Sequence, residues 1–283
     1  MCNKIPHPIP YQGSKRKIAN QICSLFPSNI DCLIEPFAGS AAITLFAAHH
    51  NLAKRFIIND KQPELMELWK LIIDEPNKTS EKYKKIWSAV ANENNIDFNL
   101  IRERFNQYRD PIDLLYLIVR CVKNAIRFNK KGEFTQSADK RRAGTHPNKM
   151  AESINRASFL LKNRTEIFCG DFMDVLPIAQ KNDFIYMDPP YHGTSNGKDR
   201  RYFSQLEKEN LIQGLEYLNK RNIDFILSYD GKTGNAEYTA ILPDYLNMKH
   251  FLINAGRSSQ ATLNGKNQTT FERLYLSEKL NFL

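Results

Sequence analysis

The segment YMDPPYHG, residues 186–193, closes an apolar run with an acid and follows it with two prolines and an aromatic ring. Pro189 and Pro190 have no N–H to donate and stiffen the backbone, so this turn presents acceptors: the Asp188 carboxylate and the Pro189 carbonyl. Two acceptors set against one amino group engage both of its hydrogens. An aromatic amine, whose lone pair is otherwise spread into its ring, is then favoured as a pyramidal nitrogen able to attack an electrophile. Tyr191 adds a ring face on which a base taken out of its stack could lie. Asp188, Pro189, Pro190 and Tyr191 are therefore the candidate catalytic residues. A purely structural turn is the plainer reading, and it requires neither paired acceptors nor a flanking ring.

Three more acids end or follow apolar runs in the same way: Glu35 in CLIEPFAG, Asp60 in RFIIND and Asp171 in TEIFCGDF. Ligands of open parallel sheets bind outside the carboxyl ends of the strands. Four carboxylates there would repel a phosphate, whereas a cationic ligand carrying hydroxyls and an amine fits them. EPFAGSA supplies a tight glycine turn, and Asp60, twenty-one residues after Gly39, stands where an acid takes a ribose hydroxyl pair. Ser40, Ala41 and Ala42 follow Gly39 in place of a G-x-G-x-x-G pattern, which disfavours a dehydrogenase.

Acids so spaced require strands to carry them. The runs at 32–39, 55–60, 165–172, 183–190 and 224–230 are continuously apolar rather than alternating, as in strands buried on both faces of a parallel sheet. Helical stretches such as SKRKIANQICSLF, SAAITLFAAHH and LEKENLIQGLEYLNKR separate most of them. The expected fold is α/β, a doubly wound, mostly parallel sheet. Two late runs, 247–255 and 273–280, can pair as an antiparallel hairpin at one edge. Between Lys61 and Arg164 the periodicity turns helical in PELMELWKLIIDE, SEKYKKIWSAVANE, LIRERFNQY and PIDLLYLIVRCVKNAIRF. Residues 61–164 are read as an inserted, mainly helical domain, and 1–60 with 165–283 as the catalytic domain. The stretch RFNKKGEFTQSADKRRAGTHP reads as a hairpin or a loop.

With 283 residues, 42% of them hydrophobic, the chain can build an ordinary globular core. Its charge is +9, and residues 120–164 carry twelve Lys or Arg against Glu133, Asp139 and Glu152, which accounts for the whole excess. A polyanion-binding surface is expected in that segment rather than a merely solvated face. The five cysteines are scattered without a C-x-x-C pair, and His49 and His50 are adjacent rather than ligand-spaced, so no metal site is expected. Neither a signal peptide nor a membrane span is read in the sequence, and a cytoplasmic protein is expected.

Taken in order, these motifs resemble the Dam-type (alpha-group) adenine-specific DNA N6-methyltransferases of restriction–modification and phage systems over almost the whole chain. PIPYQGSKRK is similar to the family's N-terminal cofactor motif, LIEPFAGSAA to its first-strand motif and FIIND to its second-strand acid. RERFN together with IRFNKKGEF is similar to its target-recognition region, and DPPY to its catalytic motif. The resemblance implies a Rossmann-like class I methyltransferase fold with S-adenosylmethionine as cofactor. It implies cofactor contacts from Tyr11, Gly13, Lys15, Glu35, Phe37, Gly39, Asp60, Asp171, Phe172 and Asp188, with Asp60 on the ribose and Asp171 and Phe172 on the adenine. The implied substrate is adenine in a short site of double-stranded DNA, flipped onto the Asp-Pro-Pro-Tyr loop. Lys123, Asn124, Arg127, Asn129, Lys130, Arg141 and Arg142 are the expected DNA contacts. The loop 256–270, with Arg257 and Lys266, is read equally as a backbone contact or a plain hairpin loop. A monomer is expected, with any cognate restriction endonuclease acting on the same site without a stable complex.

Tyr11 stands where the family commonly has Trp, and Ala41 where it commonly has a second glycine. After GEF this chain continues TQSADKRR rather than with Asn-x-Pro, which bears on target sequence and not on chemistry. N4-cytosine methylation needs the same amine geometry, and methylation of RNA or of a protein side-chain amide is a further alternative. A non-catalytic DNA-binding protein on this scaffold is expected to have lost Asp188 or the glycine loop, and both are present.

Overall fold

The computed structural model describes residues 4–92, 97–190, 208–233, 236–238, 242–257 and 269–280. Its strands are β1 (Ile30–Glu35), β2 (Ala53–Asp60), β3 (Thr165–Cys169), β4 (Phe184–Met187), β5 (Asp224–Thr233), β6 (Ala236–Tyr238), β7 (Lys249–Arg257) and β8 (Thr269–Leu276). They form one sheet in the order β3-β2-β1-β4-β5-β8-β7, with β6 pairing off β5. The pairings of β3, β2, β1, β4 and β5 are parallel, and β8 runs antiparallel to both β5 and β7. The two late runs therefore form the antiparallel edge, and the loop joining them lies outside the described residues. The three-residue β6 had no counterpart in the sequence reading.

The unbroken apolar runs are explained by two cores. Leu33, Phe184, Tyr186 and Ile226 point to one face, and Cys32, Ile34, Ile185, Met187, Phe225 and Leu227 to the other. With both faces covered, the central strands are apolar almost throughout. The helices are α1 (Ala19–Cys23), α2 (Ala42–His49), α3 (Pro63–Asp74), α4 (Pro76–Asn92), α5 (Phe98–Tyr108), α6 (Pro111–Arg120), α7 (Pro147–Leu161), α8 (Phe172–Val175) and α9 (Lys208–Arg221). Helices α1 to α7 contribute to the first core, while α8 and α9 cover the second face. Trp69, Tyr83 and Phe105 of the 61–164 region belong to the same apolar cluster as Ile22 and Phe56, so that region shares its core with the sheet. Among the described residues no helix is long and apolar enough to cross a membrane.

The stretch 111–128, read as one helical run, is helical only to Arg120. Cys121 turns extended, and Lys123 and Asn124 take left-handed φ of 61° and 52°, a conformation that side-chain-bearing residues adopt at a cost. An open hairpin follows, bridged at Phe128–Phe134 and Cys121–Ala138. The side chain of Asn129 closes its tip by accepting from the N–H groups of Lys131 (2.9 Å) and Glu133 (3.0 Å). Phe105, Phe128 and Phe134 pack their rings together beneath it.

Gly214, in the interior of α9, marks a close approach. A Cβ there would stand 2.8 Å from Cε2 of the buried Phe172 and 3.1 Å from Leu176. Gly214→Ala gains about 1 kcal/mol of helix propensity, but overpacking of a rigid core costs about 1–3 kcal/mol. The expected result is a lowered melting temperature, opposite in sign to the propensity effect; thermal unfolding followed by circular dichroism checks it.

Candidate active site

The chain runs outward from β1 to β2 and β3 on one side and to β4 and β5 on the other, so the loops leaving β1 and β4 diverge. Such a switch point opens a crevice at the carboxyl ends of the strands. Glu35 closes β1 and Asp188 follows β4, which puts the two acids on its floor. Tyr11, Gly13, Lys15, Phe37, Gly39, Asp60, Phe172, Pro189 and Pro190 join them in lining one cavity. Thus every described residue expected from the sequence in cofactor binding or catalysis borders this cavity except Asp171. Tyr191 lies outside the described residues.

The loop after β1 is held from three sides. Gly39 has φ +49°, its N–H donates to Asp60 Oδ2 at 3.0 Å, and its carbonyl accepts from Trp69 Nε1 at 3.0 Å. Ala41, in the left-handed region at φ 46°, starts α2. Asn59 is buried and donates through Nδ2 to the carbonyls of Pro36 (3.0 Å) and Gly170 (3.2 Å), tying the loops after β1 and β3 together. Asp60 also accepts from the Gln62 N–H at 3.2 Å. Burial raises the pKa of Asp60, with the backbone donors opposing. Phe37 and Phe172 stack with centroids 5.1 Å apart, forming a flat apolar wall. Asp171 is not among the lining residues: it caps α8 by accepting from the Met173 N–H and pairs at 2.6 Å with Nζ of Lys61, which does line the cavity.

Lys15 enters from the 3-10 turn Lys15–Lys17, and its buried ammonium stands 2.7 Å from Asp188 Oδ1 and 3.2 Å from Glu272 Oε1. Burial by itself would lower the Lys15 pKa, but the facing carboxylates of Asp188 and Glu272 outweigh it and hold the ammonium above its ordinary value. Desolvation raises Asp188 and Glu272 in turn, each against the pull of Lys15. Glu35 accepts from both Oγ1 (2.6 Å) and N (3.1 Å) of Thr44, yet burial prevails and lifts its pKa to about 8. With Asp60 nearby, carboxyl groups outnumber ammonium groups, which suits a cation better than a phosphate.

The basic segment adjoins this cavity. Ala125, Ile126 and Phe128 help to line it, and the Gln12 N–H donates to the Asn124 carbonyl at 3.1 Å. Asn124 further donates to the Ile118 carbonyl (2.8 Å) and accepts from Arg142 Nη1 (3.1 Å). Asp139, buried, receives Arg141 through Nε at 3.0 Å and Nη2 at 3.1 Å, and Arg142 through Nε at 3.2 Å. The Arg141 hydrogen bonds hold the Asp139 carboxyl at about 2. Arg141, Arg142 and Lys130 are exposed, whereas Lys123 and Arg127 are half-buried. Asn124 and Asn129, expected as DNA contacts, have side chains engaged in building their own turns. Glu272 was missed by the sequence reading; its signal is the single acid of TTFERLYL, next to Arg273.

A family model described as D12 class N6 adenine-specific DNA methyltransferase matches residues 11–271. The modification methylase StsI of Streptococcus sanguinis is 27% identical over 99% of this chain, which spans 44% of that protein. The retron Ec67 DNA adenine methylase of Escherichia coli is 27% identical over 88% of this chain and 84% of its own length. Among solved structures, the rRNA methyltransferase aviRa from Streptomyces viridochromogenes aligns over 94% of this chain and 84% of its own, with 14% identity and a TM-score of 0.40.

The displaced carboxyl of Glu35 has a consequence for stability. Its pKa in the folded chain, about 8, exceeds the ordinary 4.5, so the native state binds this proton more tightly than the unfolded chain does. Its contribution is complete below pH 4.5 and is lost as pH rises through about 8. Glu35→Gln cannot ionise, so its stability relative to the parent should grow with pH across that window. Urea unfolding midpoints of the two proteins measured from acid to mildly alkaline pH check this; a constant difference overturns it.

Proposed function

Because this chain belongs to the D12 class of N6 adenine-specific DNA methyltransferases, we propose that it transfers a methyl group from S-adenosylmethionine to adenine N6 in a short duplex DNA site, on a base turned out of the helix. The observation that carries this reading is the meeting of the Asp188–Pro189–Pro190 turn, the Gly39 loop and the Asp60 carboxylate around one crevice. S-adenosylmethionine, when bound, supplies an electrophilic methyl group on a sulfonium cation. The lining fits it: Asp60 keeps lone pairs for ribose hydroxyls after accepting two backbone N–H groups, and the Phe37–Phe172 wall suits an adenine ring. Tyr11, Gly13 and Glu35 complete the pocket, with Asp171 stabilising its rim through Lys61. The Asp188 carboxylate and Pro189 carbonyl accept the two hydrogens of the target amine, which frees the nitrogen lone pair without a covalent bond to the protein. Tyr191 stacks the extruded base.

In this reading 1–60 and 165–283 perform the chemistry and 61–164 recognise DNA. Lys123, Arg127, Lys130, Arg141 and Arg142 contact it, with Asn124 and Asn129 shaping the turns that present them. Asp139 orients two guanidinium groups at one point, the arrangement suited to phosphate or guanine. The setting proposed is a restriction–modification or phage system.

Nucleoside mass spectrometry of DNA treated with the protein and S-adenosylmethionine should find N6-methyladenine. 5-Methylcytosine, or N4-methylcytosine alone, would overturn the reading. For the DNA surface, Arg141→Ala is the cleaner probe, because Arg142 continues to neutralise the buried Asp139. It should weaken DNA binding and reduce the salt slope by about 1, with cofactor affinity unchanged. Fluorescence anisotropy over a range of salt concentrations and calorimetry with the cofactor measure the two.

A further inference from the structure

The Lys15 ammonium does not simply border the cavity. It bridges carboxylates that end β4 and sit within β8, spanning β5 between them. Asp188 Oδ1 is committed to Lys15, and Oδ2 makes no hydrogen bond among the described residues. Glu272 is fixed from its own side. Ser228 Oγ on β5 donates to Glu272 Oε1 at 2.8 Å, and Gly231 pairs with Glu272 across the ladder. A Cβ at Gly231 would stand 2.3 Å from the Phe271 carbonyl oxygen, so strands β5 and β8 approach here as only glycine allows.

We propose that Glu272 is a positioning residue for methyl transfer: it holds the Lys15 ammonium between two carboxylates so that Asp188 offers Oδ2, oriented and ionised, to the target amine. This rests on the function proposed above. A lysine paired with Asp188 alone would be drawn fully onto it and would weaken it as an acceptor. A second carboxylate shares the positive charge and fixes where the ammonium lies. Lys15 from the N-terminal turn acts on Asp188 against burial, and the Asp188 charge in turn raises the groups that face it: Glu272 from β8, Glu35 from the end of β1 and the buried Tyr186 from β4.

The two partners of this bridge act on Asp188 with opposite sign, which a merely structural role does not predict. In Lys15→Met the stabilising cation is gone, and the acid limb of the single-turnover rate against pH should move to higher pH; Lys15→Arg should bring it back toward the parent. In Glu272→Gln the limb should move to lower pH, with the plateau rate reduced about tenfold, the low end of losses seen when one charge-stabilising group is removed. Glu35 and Tyr186 are common to all four proteins. S-adenosylmethionine affinity in Glu272→Gln, by calorimetry, should stay within about threefold, because Glu272 acts through Lys15. A Glu272→Gln variant whose limb is unmoved and whose rate is within twofold of the parent overturns the proposal, as does a rate fully restored by saturating cofactor. If circular dichroism shows Glu272→Gln unfolded, the Lys15 pair decides, and an unshifted limb in Lys15→Met overturns it. An inactive parent would instead count against the proposed function, so the two failures are distinct.

Discussion

The crevice between the ends of β1 and β4 exists because the sheet is wound in both directions from its centre, and the parts placed around it follow from that divergence. A central strand covered on both faces carries a polar group at a cost unless that group finds a partner, so Glu35 and Asp188 stand at strand ends, whereas Ser228 and Glu272, within strands, bond each other. Bringing acids together in a poorly solvated space raises their pKa values and makes them compete for counter-charge. The answer in this chain is a lysine from the N-terminal turn, together with backbone donors from the tightly bent loop around Gly39. The left-handed Ala41, the Trp69 bond to Gly39 and the Asn59 bridge between loops hold that loop over the crevice.

Much of this was legible in the sequence because strong local signals coincide with the global design. Continuous apolar runs ending in acids located β1 to β5, and three of those acids, Glu35, Asp60 and Asp188, border the crevice. The DPP turn and the glycine loop stood out for their chemistry alone. Other features were hidden for definite reasons. Helix α6 ended earlier than its apolar periodicity suggested, since the left-handed residues Lys123 and Asn124 carry no glycine signature. Asp171 follows a strand as the other acids do, but its ion pair with Lys61, a residue that lines the cavity, could not be read from the sequence. Glu272 and Lys15 lie near opposite ends of the chain, and nothing in their local sequence indicates that they meet.

The basic segment illustrates the difference between charge content and charge presentation. Twelve basic residues were countable in 120–164, but which of them face solvent was not. The buried Asp139 gathers Arg141 and Arg142, Asn124 takes a further contact from Arg142, and Arg127 lies half-buried. The acid within this basic run reduces the freedom of two long side chains.

The continuity of the apolar core through α3 to α7 bears on how this protein can be re-engineered. A region that shares its core with the sheet is not a detachable module: excising 61–164 would remove Trp69, Tyr83, Phe105 and Leu161 from the cluster that also holds Leu33, Phe56 and Ile58. A shared core of this kind couples the unfolding of the helices to that of the sheet. The open hairpin after Cys121 is tied into the same core, since Phe128 and Phe134 pack on Phe105 and Tyr83 donates to the Thr145 carbonyl; only its tip is closed by its own hydrogen bonds.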